Sequence, residues 1–294
     1  MTGASGFIGQ ALVSYLLEGG CEVFAVDRNP LPKSFLKSEV IDVSAPTSIY
    51  HLLDSETTIF HLAASANVAG SVENPRWDFE NTFRGLFEVL EAARKYNCRV
   101  VFPSTASIYD PANTLPLLER AFPRPTSPYA AGKLAGESYC YAYYRSYGLD
   151  VRVVRLFSVY GIGMRRFAIH DIIRKIQSNS REITILGDGN QIRDYLYIDD
   201  AVRGLVMIAT QGGAGEDYNV ASGKPITIVD LTKMIAELMG HPNICIKPTG
   251  KTFPGDTKQW FANIAKVRKI GFVPQITLQE GLRRTIAWLA ANKT

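Results

Sequence analysis

Within its first nine residues the chain places three glycines, in Thr2-Gly3-Ala4-Ser5-Gly6-Phe7-Ile8-Gly9, and then runs into apolar residues at helical spacing: Ile8, Leu12, Tyr15 and Leu16. Glycines in such a loop let the backbone turn tightly and approach a pyrophosphate. The helix behind them offers free N–H groups and the positive end of its dipole. A β-branched run, Cys21 to Asp27, follows and ends in a carboxylate 18 residues after Gly9. A carboxylate at that strand end can accept hydrogen bonds from both adenosine-ribose hydroxyls and repels a 2′-phosphate, which favours NAD over NADP. Arg28, next in the chain, pulls the other way. Without a ligand the same residues read as a glycine-rich turn with a surface aspartate; the strand and Asp27 at the right distance favour the dinucleotide.

A loop of this kind follows a strand, yet only Met1 precedes it. In a doubly wound sheet that first strand is central, and its absence leaves two ladders unpaired. The expectation is a natural start several residues upstream, with a Val/Ile/Leu run leading into Met1. The chain as it stands is then expected to be poorly stable and to bind NAD weakly.

Further strand-like runs at 57–62, 99–104 and 151–157 alternate with helical patterns at 83–93 and 129–144. Alternation of this kind predicts an α/β fold, a Rossmann-type doubly wound parallel sheet with its first strand missing from the chain. After Tyr160 the pattern loosens into a helix (168–177), short strands (183–186, 226–228) and late helices (229–239, 278–291). Residues 1–157 therefore read as the cofactor domain, with 195–216 packing back onto it, and 158–294 as a smaller substrate domain.

With 294 residues, 46% hydrophobic and 20% charged, the chain can bury a sizeable core and is not disordered. Its 32 basic and 28 acidic residues are interspersed, which leaves no basic stripe for nucleic acid or a membrane surface. Cys21, Cys98, Cys140 and Cys245 lie far apart with no histidine cluster, so neither a disulfide framework nor a metal site is expected, and a cytoplasmic location is. No apolar run has the length of a membrane span.

Two further motifs carry chemistry. In Ser127-Pro128-Tyr129-Ala130-Ala131-Gly132-Lys133 the tyrosine and lysine are four apart and share one helical face. A phenol near pKa 10 is almost wholly protonated at neutral pH, and a neighbouring ammonium together with an oxidised nicotinamide can lower it until it accepts a proton from an alcohol. Among 14 tyrosines such a pair also arises by chance in an ordinary amphipathic helix. Upstream, the run from Val100 to Tyr109 leaves a buried strand at Ser104 and Thr105, where the carboxyl ends of parallel strands face the ligand crevice. Those hydroxyls can hold a reacting oxygen, or simply satisfy their own turn.

Together these motifs resemble the extended short-chain dehydrogenase/reductase family, specifically its NAD-dependent nucleotide-sugar epimerases and dehydratases. The resemblance spans nearly the whole chain. It takes in TGASGFIG at 2–9, HLAA at 61–64, SPYAAGK at 127–133, RLFSVYG at 155–161, GDGNQIRDYLYIDD at 187–200, YNVASG at 218–223 and PGD at 254–256. It implies that Gly3, Gly6, Phe7, Ile8 and Gly9 hold the pyrophosphate, Asp27 the ribose, and Asp42 and Val43 the adenine. By the same resemblance Ala63, Ala64, Ser65 and Ser104 line the nicotinamide side. Tyr129 is implied as acid/base, Lys133 as nicotinamide-ribose ligand, Thr105 as hydroxyl partner and Arg193 as ligand of the substrate diphosphate. The plain alternative for Arg193 with Asp194 is a surface salt bridge.

The chain departs from the family at Thr82, where many relatives have Asn, at Ser158 in place of Asn, and at Phe253, where many carry a second diphosphate-binding Arg. Lys258 or Lys251 is the candidate substitute, without the bidentate fork. Family dehydratases carry a carboxylate directly after the equivalent of Thr105, as the elimination of water requires. Here Ala106 and Ser107 stand there. The expectation is therefore an NAD-dependent epimerase acting at C4 of a UDP-sugar. The alternatives are a 4-keto-sugar reductase and a catalytically idle NAD-binding relative. Helices 82–95 and 129–147 carry apolar and aromatic positions beyond one stripe, and in relatives the equivalent pair forms a dimer interface, so a homodimer is expected. Alternatively Tyr139, Tyr141, Tyr143 and Tyr144 cover the sheet.

Overall fold

The computed structural model describes residues 1–35, 37–251 and 258–292. In chain order the elements are α1 (Phe7–Glu18), β1 (Ala25–Asp27), β2 (Ser38–Val40), β3 (Thr58–Phe60), α2 (Val68–Glu73) and α3 (Pro75–Phe79), which runs through a π-turn at Glu80–Arg84 into α4 (Gly85–Tyr96). Then come β4 (Arg99–Thr105), α5 (Pro128–Tyr147), β5 (Val151–Leu156), β6 (Ser158–Tyr160), α6 (Phe167–Ser178), β7 (Glu182–Ile185), β8 (Ile192–Tyr197) and α7 (Ile198–Gln211). The chain finishes with β9 (Asp217–Val220), β10 (Pro225–Thr227), α8 (Ile228–Leu238), β11 (Cys245–Pro248), α9 (Ala265–Lys269) and α10 (Leu278–Ala291).

Parallel strands in the order β3-β4-β5-β9 form the main sheet, with β1 and β2 paired in parallel beside it. Alternate residues of the strands feed two cores. Val101 and Val154 meet Leu12 of α1 and Leu205 and Ile208 of α7 on one face. Val100, Phe102, Val151 and Val153 meet Leu86, Val89 and Leu90 of α4 on the other. The sheet is thus wound on both sides, and β4 and β5 are buried almost without interruption, successive side chains going to opposite cores. Helix α5 starts cleanly because the Ser127 hydroxyl accepts from Ala130 N and Pro128 occupies the first turn; it stops at Gly148, which has φ +70. A second region is built on β6 and β10 flanking β8, with β10 antiparallel, and on the pair β7 and β11. Helix α7 packs against α1, β4 and β5.

The place of the expected first strand is held by Met1 and Thr2. Thr2 bridges Val26 on one side and His61 on the other. Val26 N donates to Met1 O (2.7 Å), Thr2 N to Phe60 O (3.1 Å) and Leu62 N to Thr2 O (3.1 Å). Two residues therefore join β1 to β3 at the level of the glycine loop. The expected strand at 21–27 is correspondingly short. Only Ala25–Asp27 form it, and Cys21, Glu22 and Phe24 are exposed. The helix expected from Thr82 begins instead at Gly85, since residues 80–84 form the wider π-turn.

Candidate active site

The glycine loop lies against the end of β3. Gly3 has φ +72, and a Cβ there would stand 2.5 Å from Ala63 N; one on Gly9 would stand 2.1 Å from Gly3 O. Neither position admits a side chain, and exposed Gly6 leads into Phe7 and Ile8 at the start of α1. The Asp27 carboxylate is buried at the end of β1. It accepts from Ser5 N (3.0 Å) and from Asn29 N (2.9 Å) and Nδ2 (3.2 Å). It braces the loop and keeps acceptor capacity for ribose hydroxyls. Arg28 turns away: it donates to Asn81 and lies 5.6 Å over the Trp77 ring. Asp42 takes hydrogen bonds from Ser44 N and Oγ, which hold its carboxyl below the usual range, and Val43 is buried beside it.

Half-buried Ala63 and Ala64 and buried Ser65 follow β3. Ser104 ends in a buried hydroxyl with no hydrogen-bond partner among the described residues, at the carboxyl end of β4. The glycine cradle and this orphaned hydroxyl fit NAD, which would be held by Gly3, Gly6, Phe7, Ile8, Gly9, Asp27, Asp42, Val43, Ala63, Ala64, Ser65, Ser104, Tyr129 and Lys133.

Residues Thr105, Tyr129 and Lys133 come together between β4 and the first turns of α5. Thr105 lies beside the Tyr129 phenol and acts on it. Its hydroxyl caps its own turn, Oγ1 accepting from Ser107 N and donating to Ser107 Oγ (both 3.2 Å), as the turn reading of this residue expects. Lys133, 4% exposed, donates to Pro103 O (2.8 Å) and sits 4.6 Å over Phe102. Burial lowers the Lys133 ammonium to about 8 and raises the Tyr129 phenol to about 12, the Thr105 side chain offsetting only part of the rise. The protein alone thus moves Tyr129 opposite to the expected direction, because desolvation outweighs the available positive charge.

The residues singled out for substrate lie on the smaller sheet. Ser158 opens β6 in register with Tyr195 of β8. Arg193 on β8 lies 4.3 Å over the Trp260 ring, and its Nη1 donates to Ile192 O (2.9 Å) and Lys258 O (3.1 Å). Asp194 is fully buried and accepts from Ser222 N, Ser222 Oγ, Gly223 N and Ala262 N. It anchors the loops behind β8 from a buried position rather than from the surface. Lys258 is exposed and contributes its backbone carbonyl, which also accepts from Ile192 N (3.0 Å). Phe253 and the PGD run at 254–256 lie outside the described residues.

Sequence reasoning missed several neighbours of this site. Arg155 of β5 donates to both Glu137 oxygens on α5 (2.7–3.2 Å), to Tyr109 Oη (2.9 Å) and to Glu119 O (2.6 Å), and pairs with Asp217 on β9 (2.6 Å). Arg166, before α6, acts electrostatically on Tyr129. Asp78, on the short helix α3, is buried beside Tyr129 and Lys133. In sequence these residues are dispersed charges, and only the fold collects them.

Comparison with known proteins identifies the family. Residues 1–221 match the family model "NAD dependent epimerase/dehydratase family". The chain is 32% identical to a putative UDP-glucose 4-epimerase of Methanocaldococcus jannaschii, over 99% of this chain and 98% of that one. It is 33% identical to a UDP-glucuronate 4-epimerase of Thermodesulfobacterium geofontis, over 99% and 96%. The crystal structure of a Thermotoga maritima UDP-glucose 4-epimerase with UDP-glucose superposes with a TM-score of 0.91 at 29% identity, covering 100% of this chain and 98% of that one. By the family match over most of its length and by relatives 32–33% identical over nearly their whole length, the chain belongs to the NAD-dependent epimerase/dehydratase family.

Proposed function

We propose that the protein interconverts UDP-sugars epimeric at C4, with Tyr129 carrying the proton. The observation that supports this reading best is the position of the Tyr129 phenol beside Thr105 at the carboxyl end of β4, one turn of α5 before buried Lys133. NAD, when bound, supplies the hydride acceptor and donor for C4 and a positive charge that brings the phenol down from its raised value. Tyr129 takes the proton of the 4-hydroxyl and returns it after the 4-keto sugar has turned over. Thr105 holds the reacting oxygen during both transfers, and Lys133 supplies positive charge behind the phenol. Arg193, Ser158 and the Lys258 segment hold the nucleotide-diphosphate end, so the sugar swings about a fixed anchor.

The residues after Thr105 favour epimerisation over elimination. Loss of water needs a base at C5 and an acid at O6. Ala106 is buried and cannot move a proton, and Ser107 is bonded to Thr105. In this reading 1–157 with 195–216 forms the cofactor unit and 158–294 the substrate unit of a cytoplasmic enzyme. It works as a homodimer through α4 and α5, whose outer face exposes Phe87, Tyr139, Tyr141 and Tyr147. No helix among the described residues is long and apolar enough to cross a membrane.

A panel of UDP-hexoses, UDP-N-acetylhexosamines and UDP-hexuronates, incubated with the protein and NAD and followed by proton NMR, is expected to show one epimeric pair interconverting with no net NADH. Stoichiometric NADH consumption on a 4-keto sugar would show a reductase instead. NAD binding with no turnover on any sugar would show an idle relative.

A further inference from the structure

Among the residues singled out for the diphosphate end (Ser158, Arg193 and Lys258), only Arg193 carries a guanidinium. A guanidinium grips phosphate oxygens through paired N–H donors in one plane. A loose arginine must give up rotamer freedom to present that plane, and one already held gives up less.

The hold on Arg193 comes from the chain at 258–262. This segment lies along the edge of β8 opposite β10, at the end that β6 does not reach. β6 pairs with Tyr195, Leu196 and Tyr197, whereas Ile192 forms a parallel bridge with Gln259. Ile192 N donates to Lys258 O (3.0 Å), and Trp260 N donates to Ile192 O (3.2 Å). One residue further along both chains, this register sets Arg193 beside Trp260 with their side chains on the same face. The guanidinium carbon lies 4.3 Å from the centroid of the Trp260 ring, while Nη1 donates to Ile192 O and Lys258 O. Behind them, buried Asp194 accepts from Ala262 N (3.2 Å) and ties the same segment to β8.

The indole N–H does not explain the tryptophan. Trp260 Nε1 is buried with no hydrogen-bond partner among the described residues, a burden that a phenyl or aliphatic side chain would not carry. What tryptophan offers over those side chains is the strongest π face for a cation.

We propose that Trp260 is the platform of the diphosphate grip, a positioning residue that holds the Arg193 guanidinium against its ring so that a nucleoside diphosphate meets a preset donor. The proposal rests on the reading of Arg193 as ligand of the diphosphate, and its test separates the two. A ring that merely filled space would affect UDP whether or not Arg193 were present. A platform acts only through Arg193.

The experiment is a calorimetric titration of UDP into the protein saturated with NAD, each variant being checked for folding by its thermal melt. Arg193→Ala is expected to weaken UDP roughly 10–100-fold, the loss of a charge-assisted hydrogen bond. Trp260→Met, which fills the site without a ring, is expected to weaken it about fivefold. Trp260→Phe restores a ring face and is expected to recover most of that affinity. In the Arg193→Ala background, Trp260→Met is expected to cost nothing further. Parental affinity in folded Trp260→Met, with Arg193→Ala weakened, overturns the platform and leaves Arg193 as the ligand. Equal losses from Trp260→Met with and without Arg193 overturn it as well, since the ring then acts by packing alone. Parental affinity in Arg193→Ala overturns the reading of Arg193 and the platform with it. If Trp260→Met does not fold, Trp260→Leu carries the same comparisons and the same overturning results.

Discussion

Replacing Tyr129 by Phe removes one phenolic oxygen from a buried cluster and little packing. Turnover is expected to fall about 10³-fold with NAD still bound, because a positioned proton carrier contributes on that order. A variant that keeps most of its kcat would exclude Tyr129 as the acid/base. Thr105→Val removes a hydrogen bond but leaves the carrier, so its loss should be nearer tenfold. Asp27→Asn should weaken NAD about tenfold and narrow the preference over NADP, since a neutral amide no longer repels a 2′-phosphate; isothermal titration with both cofactors measures this. Arg28 is engaged with Asn81 and Trp77, so a parent protein that already prefers NADP would contradict the reading of Asp27. At this scale the sequence is informative where function imposes spacing. The interval from Tyr129 to Lys133 is one helical turn, and glycines are irreplaceable where a Cβ would strike backbone. It is silent on Asp78, because an aspartate in the first turn of a short helix looks like a solvated dipole partner until α5 is packed over it.

Helix α5 does more than carry two side chains. Its Gly136 meets α4 and β4 so closely that a Cβ would stand 2.7 Å from Leu86 Cδ2 and 2.9 Å from Phe102 Cζ. Both neighbours are fully buried. Gly136→Ala is expected to cost about 1–3 kcal/mol through overpacking, read as a lower denaturant midpoint at an unchanged slope. A gain in stability, as for a glycine freely exposed in a helix, would show that the contact has room to give. Element type was readable because burial on both sheet faces writes β-branched runs, and helices write a 3.6-residue period. Lengths were less readable. Residues 21–24 have strand composition but stand outside the strand they lead into, and the π-turn at Glu80–Arg84 keeps a helical pattern while adding a residue to the turn.

Over the whole molecule, the outer face of α3, α4 and α5 carries a continuous run of rings. Phe79, Phe83, Tyr139, Tyr143 and Tyr147 follow one another at centroid distances of 5.0–6.5 Å. Tyr143 is buried and Tyr144 packs against Gly215, but Tyr139 is 41% exposed and Phe79 52%. A contiguous aromatic surface of this kind marks an interface. Light scattering at micromolar concentration should give twice the monomer mass, and Tyr139→Glu should return it to one; a monomeric parent protein would reject the dimer.

Arg155 has a consequence for motion. By gripping Glu137, Tyr109, Glu119 and Asp217 together, it binds α5 to β5, β9 and the 106–127 connection at a single buried point. Parts tied in this way open together, so the amides of α5, β5 and β9 are expected in the slowest-exchanging unit, which hydrogen exchange would show released only on global unfolding. The catalytic frame then cannot rearrange within one turnover. In the proposed epimerisation, the part that turns over between the two hydride transfers is then the sugar, tumbling inside a rigid stator.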